Sequence, residues 1–133
     1  MLPTLLAAMP EDYGRYIEPM VGSACLFFAT RPRRGLLGDF NEELMHTYRA
    51  IRCHPRLVSR AASSWGDDSA TYYEVRSLSA ESLDPIQPAA RFTYLNRYSF
   101  NGVYRTNKEG RFNVPRGRDT GSLPSEADSI GAR

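Results

Sequence analysis

Cysteine is scarce in this chain, which has 133 residues and only two thiols, Cys25 and Cys53. Two distant cysteines do not make a disulfide framework or a zinc site. Long apolar runs are missing as well, since none approaches the ~20 residues that a helix needs to cross a bilayer. The apolar residues 1–9 lack the basic flank and cleavage site of a signal peptide. These absences predict a cytoplasmic protein with reduced thiols and with neither a membrane nor a metal ion as partner.

Familiar catalytic motifs are also missing. The sequence contains no serine-hydrolase elbow, no phosphate-binding loop and no metal-binding motif. Its two histidines, His46 and His54, have no neighbours in the sequence that indicate a catalytic pair.

Acidic residues are nearly absent from one segment. Residues 91–118 contain seven arginines and lysines but a single acid, Glu109, so this segment carries a formal charge of +6 and the remainder −4. The same segment holds four of the five asparagines and six aromatic residues. Such asymmetry indicates a polyanionic partner. A solvated basic loop is the alternative, but it does not explain the clustered asparagines and aromatics.

The pattern in the first third of the chain predicts a strand, a glycine turn, a helix and a second strand. The pattern predicts a strand at 13–18, a buried helix capped by Ser23 that contains a buried Cys25, and a buried strand at 35–38 ending at Asp39. This order is typical of a βαβ unit that holds a nucleoside beyond the strand ends. A carboxylate at Asp39 can accept hydrogen bonds from ribose hydroxyls, although a helix-capping or solvated aspartate is an alternative.

The glycine content of this turn limits which kind of nucleoside it can bind. A turn that binds pyrophosphate needs three glycines and a helix N-terminus facing the phosphates. Only Gly22 is available here, followed by Ser23 and Ala24. S-adenosylmethionine carries no phosphate, so one glycine is sufficient for it.

The remaining two thirds predict helices followed by a hairpin. We expect a helix that Asn41 caps and that stops before Pro55, a loop at 60–70 around a packed Trp65, and a helix at 72–78. A further helix begins at Asp84 and Pro85 and runs through residue 97. Turn signals at 101–102 and 107–110 then flank two short runs, 103–105 and 111–114, as in an irregular hairpin. The composition of 118–133 predicts disorder.

The segment 91–115 combines the side chains that read duplex DNA. Arginine bridges guanine edges, asparagine bridges adenine edges, and apolar tips contact thymine methyl groups. Aromatic rings fill the gap that a flipped base leaves. By chemistry alone the segment is equally suited to RNA, whose unpaired bases stack on aromatic rings.

Three sequence blocks resemble the Dam-type DNA adenine methyltransferases. The first resembles that family's cofactor-binding motif and the second its following motif, while the third resembles its target-recognition region. The blocks are Tyr16-Ile17-Glu18-Pro19-Met20-Val21-Gly22-Ser23, then Leu37-Gly38-Asp39-Phe40-Asn41, and then Tyr94-Leu95-Asn96-Arg97 with Phe100-Asn101-Gly102-Val103-Tyr104-Arg105 and Phe112-Asn113-Val114-Pro115. The resemblance extends from about residue 2 to residue 115, and it implies a chain truncated at both ends.

The resemblance implies an α/β fold, namely a partial Rossmann-like methyltransferase domain with a mostly helical target-recognition insertion. Residues 1–55 would belong to the catalytic domain, 56–117 to the DNA-binding region and 118–133 to the tail. The implied reaction is adenine-specific methyl transfer from S-adenosylmethionine to the exocyclic amine of a flipped adenine in double-stranded DNA. In such chemistry the protein mainly positions donor and acceptor.

The resemblance also assigns site residues. Those implied for S-adenosylmethionine are Glu18, Pro19, Gly22, Ser23, Asp39 and Asn41, with Asp39 on the ribose. Those implied for DNA are Arg97, Phe100, Asn101, Val103, Arg105, Asn107, Asn113 and Pro115. Among these, Phe100 would enter the duplex where the adenine is extruded. Asn101, Val103 and Arg105 would touch bases in the major groove, with Asn107, Asn113 and Pro115 supporting them.

The sequence departs from the family pattern at two places. Met20 and Ala24 stand where the cofactor turn usually has phenylalanine and glycine, and the added methyl of Ala24 is expected to weaken cofactor affinity. The family's catalytic Asp-Pro-Pro-Tyr string is absent, because Asp84-Pro85-Ile86 lacks the second proline and the tyrosine. An inactive fragment with residual DNA binding is therefore the alternative function. A second polypeptide that supplies the missing motifs, or an unrelated RNA-binding module, also stays open.

Overall fold

The computed structural model describes residues 1–79, 84, 86–118 and 123. It combines helices with one small parallel sheet and divides into two compact units, residues 1–45 and 46–133. The functional division after residue 55 stays a prediction. Apart from residues 118 and 123, the tail predicted to be disordered lies outside the described residues. Within the described part, no helix has the length and apolar character needed to cross a membrane.

The first unit has the predicted order of helix, strand, helix and strand. Its elements are α1 (Leu2–Ala7), β1 (Tyr16–Glu18), α2 (Cys25–Thr30) and β2 (Gly35–Leu37). β1 and β2 pair in parallel with Ile17 opposite Leu36. α2 connects the two strands along the chain, which is the order of a βαβ unit. Both strands are shorter than the sequence pattern predicts.

Burial in the first unit differs from the prediction. No residue of α2 is buried, Cys25 is exposed, and Gly35 and Leu36 of β2 are exposed as well. The predictions of a buried helix, a buried thiol and a buried strand were therefore wrong. Apolar character creates a tendency to be buried, but burial requires neighbours on both faces of the sheet. The described part of the chain supplies only two strands.

Local cap chemistry explains where α3 (Glu42–Cys53) begins. The Asn41 side chain accepts a hydrogen bond from the backbone N–H of Leu44 at 3.2 Å, which confirms the predicted cap. The helix ends before Pro55, again as predicted. Proline does not end the helical region, however, because α4 (Pro55–Ser63) begins with it. The predicted loop at 60–70 was therefore wrong for residues 60–63, since proline is also favoured in a first helical turn. It was wrong for residues 69–70 as well, because they begin the next helix.

Among its described residues the second unit has two more helices, α5 (Ser69–Ser77) and α6 (Gln87–Tyr98). Asp68 caps α5 by accepting from the N–H of Thr71 at 3.0 Å. The Asp84 carboxylate accepts from the N–H groups of residues 86 and 87, at 2.8 and 3.0 Å. The capping role predicted for Asp84 is confirmed, whereas Pro85 lies outside the described residues.

A mainly aromatic core holds α5, α6 and the following hairpin together. Its buried members are Tyr72, Val75, Tyr94, Leu95, Tyr98, Phe112 and Val114. Trp65 packs against this cluster with its ring centroid 5.5 Å from that of Tyr94, as predicted. Two buried polar bonds tie the hairpin to α5, because the Tyr72 hydroxyl and an Arg76 guanidinium N–H both donate to the Val114 carbonyl, at 3.0 and 3.1 Å.

Candidate cofactor site and nucleic-acid interface

Asp39 closes the turn that follows β1. One carboxylate oxygen accepts from the Gly22 N–H and the other from the Asn41 N–H, each at 2.9 Å. These hydrogen bonds, that from Asn41 first, lower the pKa of the Asp39 carboxyl, so the group is an anion at neutral pH. Asp39 is half-buried, and its remaining lone pairs can accept hydrogen bonds from a diol. Three of the residues predicted to bind the cofactor, Gly22, Asp39 and Asn41, are thus joined in one small network.

Glu18 and Pro19 lie at the end of β1, beside this network. The Tyr16 hydroxyl donates to a Glu18 carboxylate oxygen at 2.7 Å, and the Glu18 carbonyl accepts from the Gly38 N–H at 2.9 Å. Burial, followed by the hydrogen bond to Glu18, raises the pKa of Tyr16 to about 12, so this hydroxyl remains a donor. The Glu18 carboxylate is therefore held at the carboxyl end of the sheet, where ligands of α/β sheets bind.

Gly22 adopts φ +46°, and a methyl group placed on it would meet no atom within 4 Å. The space over this residue is therefore open for a ligand to approach the backbone. Ser23 does not cap α2 as predicted, because Ala24 takes the cap position, and the Ser23 hydroxyl instead lies 3.1 Å from the Cys25 sulfur. Ser23 stays exposed at the edge of the turn.

Ala24 follows in the left-handed conformation, with φ +53°, and it is completely buried. Its methyl group therefore does not cover the open space over Gly22. The methyl group was expected to weaken cofactor affinity by obstructing the ligand, and this reason does not hold. The effect of having alanine rather than glycine here is backbone strain, since a left-handed residue with a Cβ costs roughly 1–2 kcal/mol.

Residues 103–115 form the predicted irregular hairpin. Thr106 and Phe112 form an antiparallel bridge, and the N–H groups of Asn113 and Asn107 donate to the carbonyls of Arg105 and Arg111, at 3.1 and 2.9 Å. Because side chains alternate between the faces of an extended strand, odd and even positions point opposite ways. Even positions 112 and 114 belong to the core. The odd positions therefore form the outward face, which consists of Val103, Arg105, Asn107, Arg111, Asn113 and Pro115.

All members of the outward face are exposed except Asn113, which is half-buried. Five of the eight residues predicted to contact DNA lie on it. Arg111 was not predicted, although the alternation that is visible in the sequence would have found it. A polar two-stranded ribbon of this kind fits the width of the DNA major groove.

Asn107 has a structural role within this face. Its side-chain oxygen accepts from the N–H groups of Glu109 and Arg111, at 3.0 and 2.9 Å, and so closes the hairpin turn. Arg111 and Glu109 also form an exposed ion pair, with a nitrogen–oxygen distance of 3.7 Å. The supporting function predicted for Asn107 is consistent with this bonding.

Phe100 and Asn101 lie in a tight turn, the 3-10 segment Phe100–Gly102, beside the hairpin. The Phe100 N–H donates to the Pro115 carbonyl at 2.9 Å, while its ring is 54% exposed. Asn101 adopts φ +54° and Gly102 φ +61°. The turn thus fixes an aromatic side chain in solvent next to the outward face. Arg97, the last of the predicted DNA residues, is exposed in the final turn of α6.

The other aromatic and basic residues of 91–118 divide between core and surface. Five of the six aromatics are buried or half-buried, leaving Phe100 as the exposed one, so these residues do not form a stacking platform. The buried Arg91 guanidinium donates to the carbonyls of Val75 and Arg76, at 3.2 and 2.9 Å, and Arg116 donates to the Asp67 carbonyl. Part of the basic charge is therefore structural, and the exposed part is Arg97, Arg105, Lys108, Arg111 and Arg118.

Replacing Gly102 with alanine is expected to destabilise the second unit by about 1–2 kcal/mol, the cost of a Cβ at positive φ. A Cβ at this position would lie 3.5 Å from the nearest atom, the Asn96 carbonyl oxygen, so backbone strain dominates. Urea denaturation measures the change. Gly102→Asn is the matched variant, because asparagine tolerates this conformation and should recover part of the loss. Equal stability of the parent and the alanine variant would contradict the assigned turn geometry.

A metal site is not formed by the described residues, among which no three histidine, cysteine, aspartate or glutamate side chains are grouped to hold an ion. The arrangement instead offers a carboxylate and an open glycine turn in the first unit, and a polar ribbon with an exposed ring in the second. Comparison with known proteins shows which family combines these features. Residues 1–128 match the family of D12 class N6 adenine-specific DNA methyltransferases. The chain belongs to this family.

Individual relatives carry names that agree with the family. The type II methyltransferase M1.LlaDCHI of Lactococcus lactis subsp. cremoris is 36% identical over 124 residues, which cover 89% of this chain and 44% of the relative. The type II methyltransferase M.CviBI of Paramecium bursaria Chlorella virus NC1A is 40% identical over 113 residues, with coverages of 83% and 43%. DNA adenine methylase of Escherichia coli (strain K12) is 36% identical over 106 residues, with coverages of 77% and 38%.

The chain therefore spans less than half the length of these relatives. The resemblance seen in the sequence is confirmed at the level of the family. The small parallel sheet is compatible with an α/β methyltransferase, and the Rossmann-like detail stays a prediction. Neither the relatives nor the structure supports a second polypeptide that supplies the missing motifs.

Proposed function

We propose that this chain is the cofactor-contacting and DNA-reading part of an adenine-specific DNA methyltransferase that uses S-adenosylmethionine. In the family reaction the methyl group leaves the sulfonium sulfur for the exocyclic amine of adenine, which loses a proton. The first unit would belong to a Rossmann-like domain and the second to the target-recognition region. Cytoplasmic location follows as an expectation from the nature of the substrate.

The outward face of the hairpin carries the proposal for DNA. It presents arginine, asparagine, valine and proline side chains in one plane, which is the chemistry of direct readout in the major groove. The exposed Phe100 ring lies in the adjoining turn and can fill the gap left by an extruded base. Neighbouring exposed charges, Arg97 and Lys108, supply phosphate contacts that position the ribbon without reading sequence.

The Asp39 network supports the proposal for the cofactor. Asp39 is an anion that still has lone pairs to offer, and it lies next to a glycine with open space above its backbone. S-adenosylmethionine would supply the reactive methyl group. Asp39 would bind its ribose hydroxyls, while Glu18 at the end of β1 would attract its positively charged amino group. Pro19, Ser23 and Asn41 would complete the edge of this site.

The inactive fragment is the alternative, and it is favoured by one observation, the absence of an Asp-Pro-Pro-Tyr string. Transfer of a labelled methyl group from S-adenosylmethionine to unmethylated duplex DNA at low salt distinguishes the two. DNA binding without incorporation would support the inactive fragment. Incorporation into adenine would instead show that other residues replace the missing motif.

Arg105→Ala is expected to weaken binding to duplex DNA roughly 10- to 100-fold, because a bidentate arginine–guanine contact contributes at this level. Fluorescence anisotropy with labelled duplex DNA measures the loss. The matched control is Arg60→Ala, which removes an exposed arginine from α4 in the same unit and should change affinity less than roughly threefold. Equal losses from the two variants would show non-specific charge attraction. Tighter binding to single-stranded RNA than to duplex DNA would favour the RNA-binding module.

A further inference from the structure

Arg105 and Asn113 are paired across the hairpin in both backbone and side chain. The Asn113 N–H donates to the Arg105 carbonyl at 3.1 Å, which places the two residues opposite each other on the outward face. Their side chains then meet, and the Arg105 Nε–H donates to the Asn113 side-chain oxygen at 3.0 Å. The register of the hairpin thus sets the position of the guanidinium group.

This bond divides the donors of Arg105 into two groups. The Nε–H is directed to Asn113, whereas the two terminal nitrogens have no hydrogen-bond partner among the described residues. Those nitrogens present parallel N–H groups at the end of the planar fork. Guanine offers two acceptors, O6 and N7, at a matching spacing in the major groove. Arg105 is therefore oriented for end-on recognition of a guanine before DNA binds.

Pre-organisation matters because arginine is a long side chain. A free arginine loses considerable rotamer freedom when it is fixed at an interface, and this loss weakens binding. An amide oxygen at Asn113 limits that freedom in the unbound protein. The Asn113 side chain is half-buried, which makes it a steadier support than a fully exposed one.

We propose that Asn113 is a positioning residue that sets the guanine preference of Arg105 and makes no energetically important contact with DNA itself. This inference rests on the proposed function, since it requires that the hairpin reads duplex DNA. It divides the outward face into a reading residue, Arg105, a support for that residue, Asn113, and a support for the turn, Asn107.

The test uses the full chain and a randomised duplex DNA library, whose bound fraction is sequenced. Arg105→Ala should abolish a guanine preference at one position of the bound sequences. Asn113→Ala should reduce the preference at that same position by roughly 3- to 10-fold. The double variant should resemble Arg105→Ala, because a positioning residue has nothing left to position. The salt dependence of binding to a selected duplex should be unchanged in Asn113→Ala.

Asn113→Asp is the second variant. It shows whether a loss seen in Asn113→Ala comes from the missing hydrogen-bond acceptor or from misfolding. Its carboxylate can still accept from the Arg105 Nε–H but repels phosphate, so guanine preference should be retained while overall affinity falls. Additive losses in the double variant would show that Asn113 contacts DNA independently of Arg105 and would overturn the inference. If the parent chain does not bind duplex DNA, the proposed function fails. If it binds duplex DNA but Asn113→Ala keeps the full guanine preference, only this inference fails.

Discussion

Replacing Tyr94 with alanine is expected to lower the free energy of unfolding of the second unit by about 3–5 kcal/mol. The side chain is fully buried, and its ring centroid lies 4.7 Å from that of Tyr98 and 6.3 Å from that of Tyr72. Its hydroxyl donates to the Gly66 carbonyl at 2.6 Å. Deletion removes both the ring contacts and the anchor of the Trp65 loop. Urea denaturation followed by circular dichroism measures the loss.

Two variants separate the parts of this effect. Tyr94→Phe deletes only the hydroxyl and should cost about 1 kcal/mol, the net value of a typical hydrogen bond. Tyr73→Ala removes a tyrosine that is exposed on α5 and should cost about 1–2 kcal/mol, since it contributes a cation–π contact with Arg76 and an edge contact with the Tyr72 ring. A similar cost for Tyr94→Ala and Tyr73→Ala would show that the aromatic cluster does not form the core.

Asp39→Ala is expected to weaken the binding of S-adenosylmethionine roughly 10- to 100-fold. The change removes acceptors for the ribose hydroxyls, and hydrogen bonds to charged groups contribute about 1.5–3 kcal/mol. It also removes the acceptor for the Gly22 and Asn41 N–H groups, so the glycine turn loses its support. Isothermal titration calorimetry with S-adenosylmethionine measures the affinity.

The control for this variant is Asp12→Ala, which removes an exposed carboxylate from the same unit. It lowers the negative charge by the same amount and should leave the affinity within roughly twofold of the parent. A parent-like affinity of Asp39→Ala would show that the ribose binds elsewhere. Equal weakening by the two variants would indicate that only the net charge matters.

The sequence predicted well those structural features that depend on a few neighbouring residues, namely helix caps and turns. Asn41 and Asp84 act as caps because the donor and acceptor lie within three residues of each other. The hairpin at 103–115 follows from two turn signals, and its alternation already separates core from surface. The positions of Asp39 and Gly22, 17 residues apart, followed from the order of the elements together with the family resemblance.

Predictions failed where the outcome depends on distant parts of the chain. The exposure of Cys25 and of β2 reflects how many elements cover them, which no local pattern contains. Pro55 is ambiguous in the sequence, because it both ends one helix and begins another. Arg91 and Arg116 look like surface charges in the sequence, yet they donate to backbone carbonyls of other segments.

Side chains alternate along the hairpin between the outward face, where substitutions are tolerated, and the core, where they are not. Substitutions at the odd positions 103, 105, 111 and 113 change the side chains of the outward face and leave the Phe112 and Val114 contacts intact. If this face reads DNA as proposed, a lineage can acquire a new target sequence through point mutations alone. Insertion or deletion of one residue would exchange the two faces and expose the core side chains instead. Evolution of specificity in this hairpin should thus proceed by substitution at constant length.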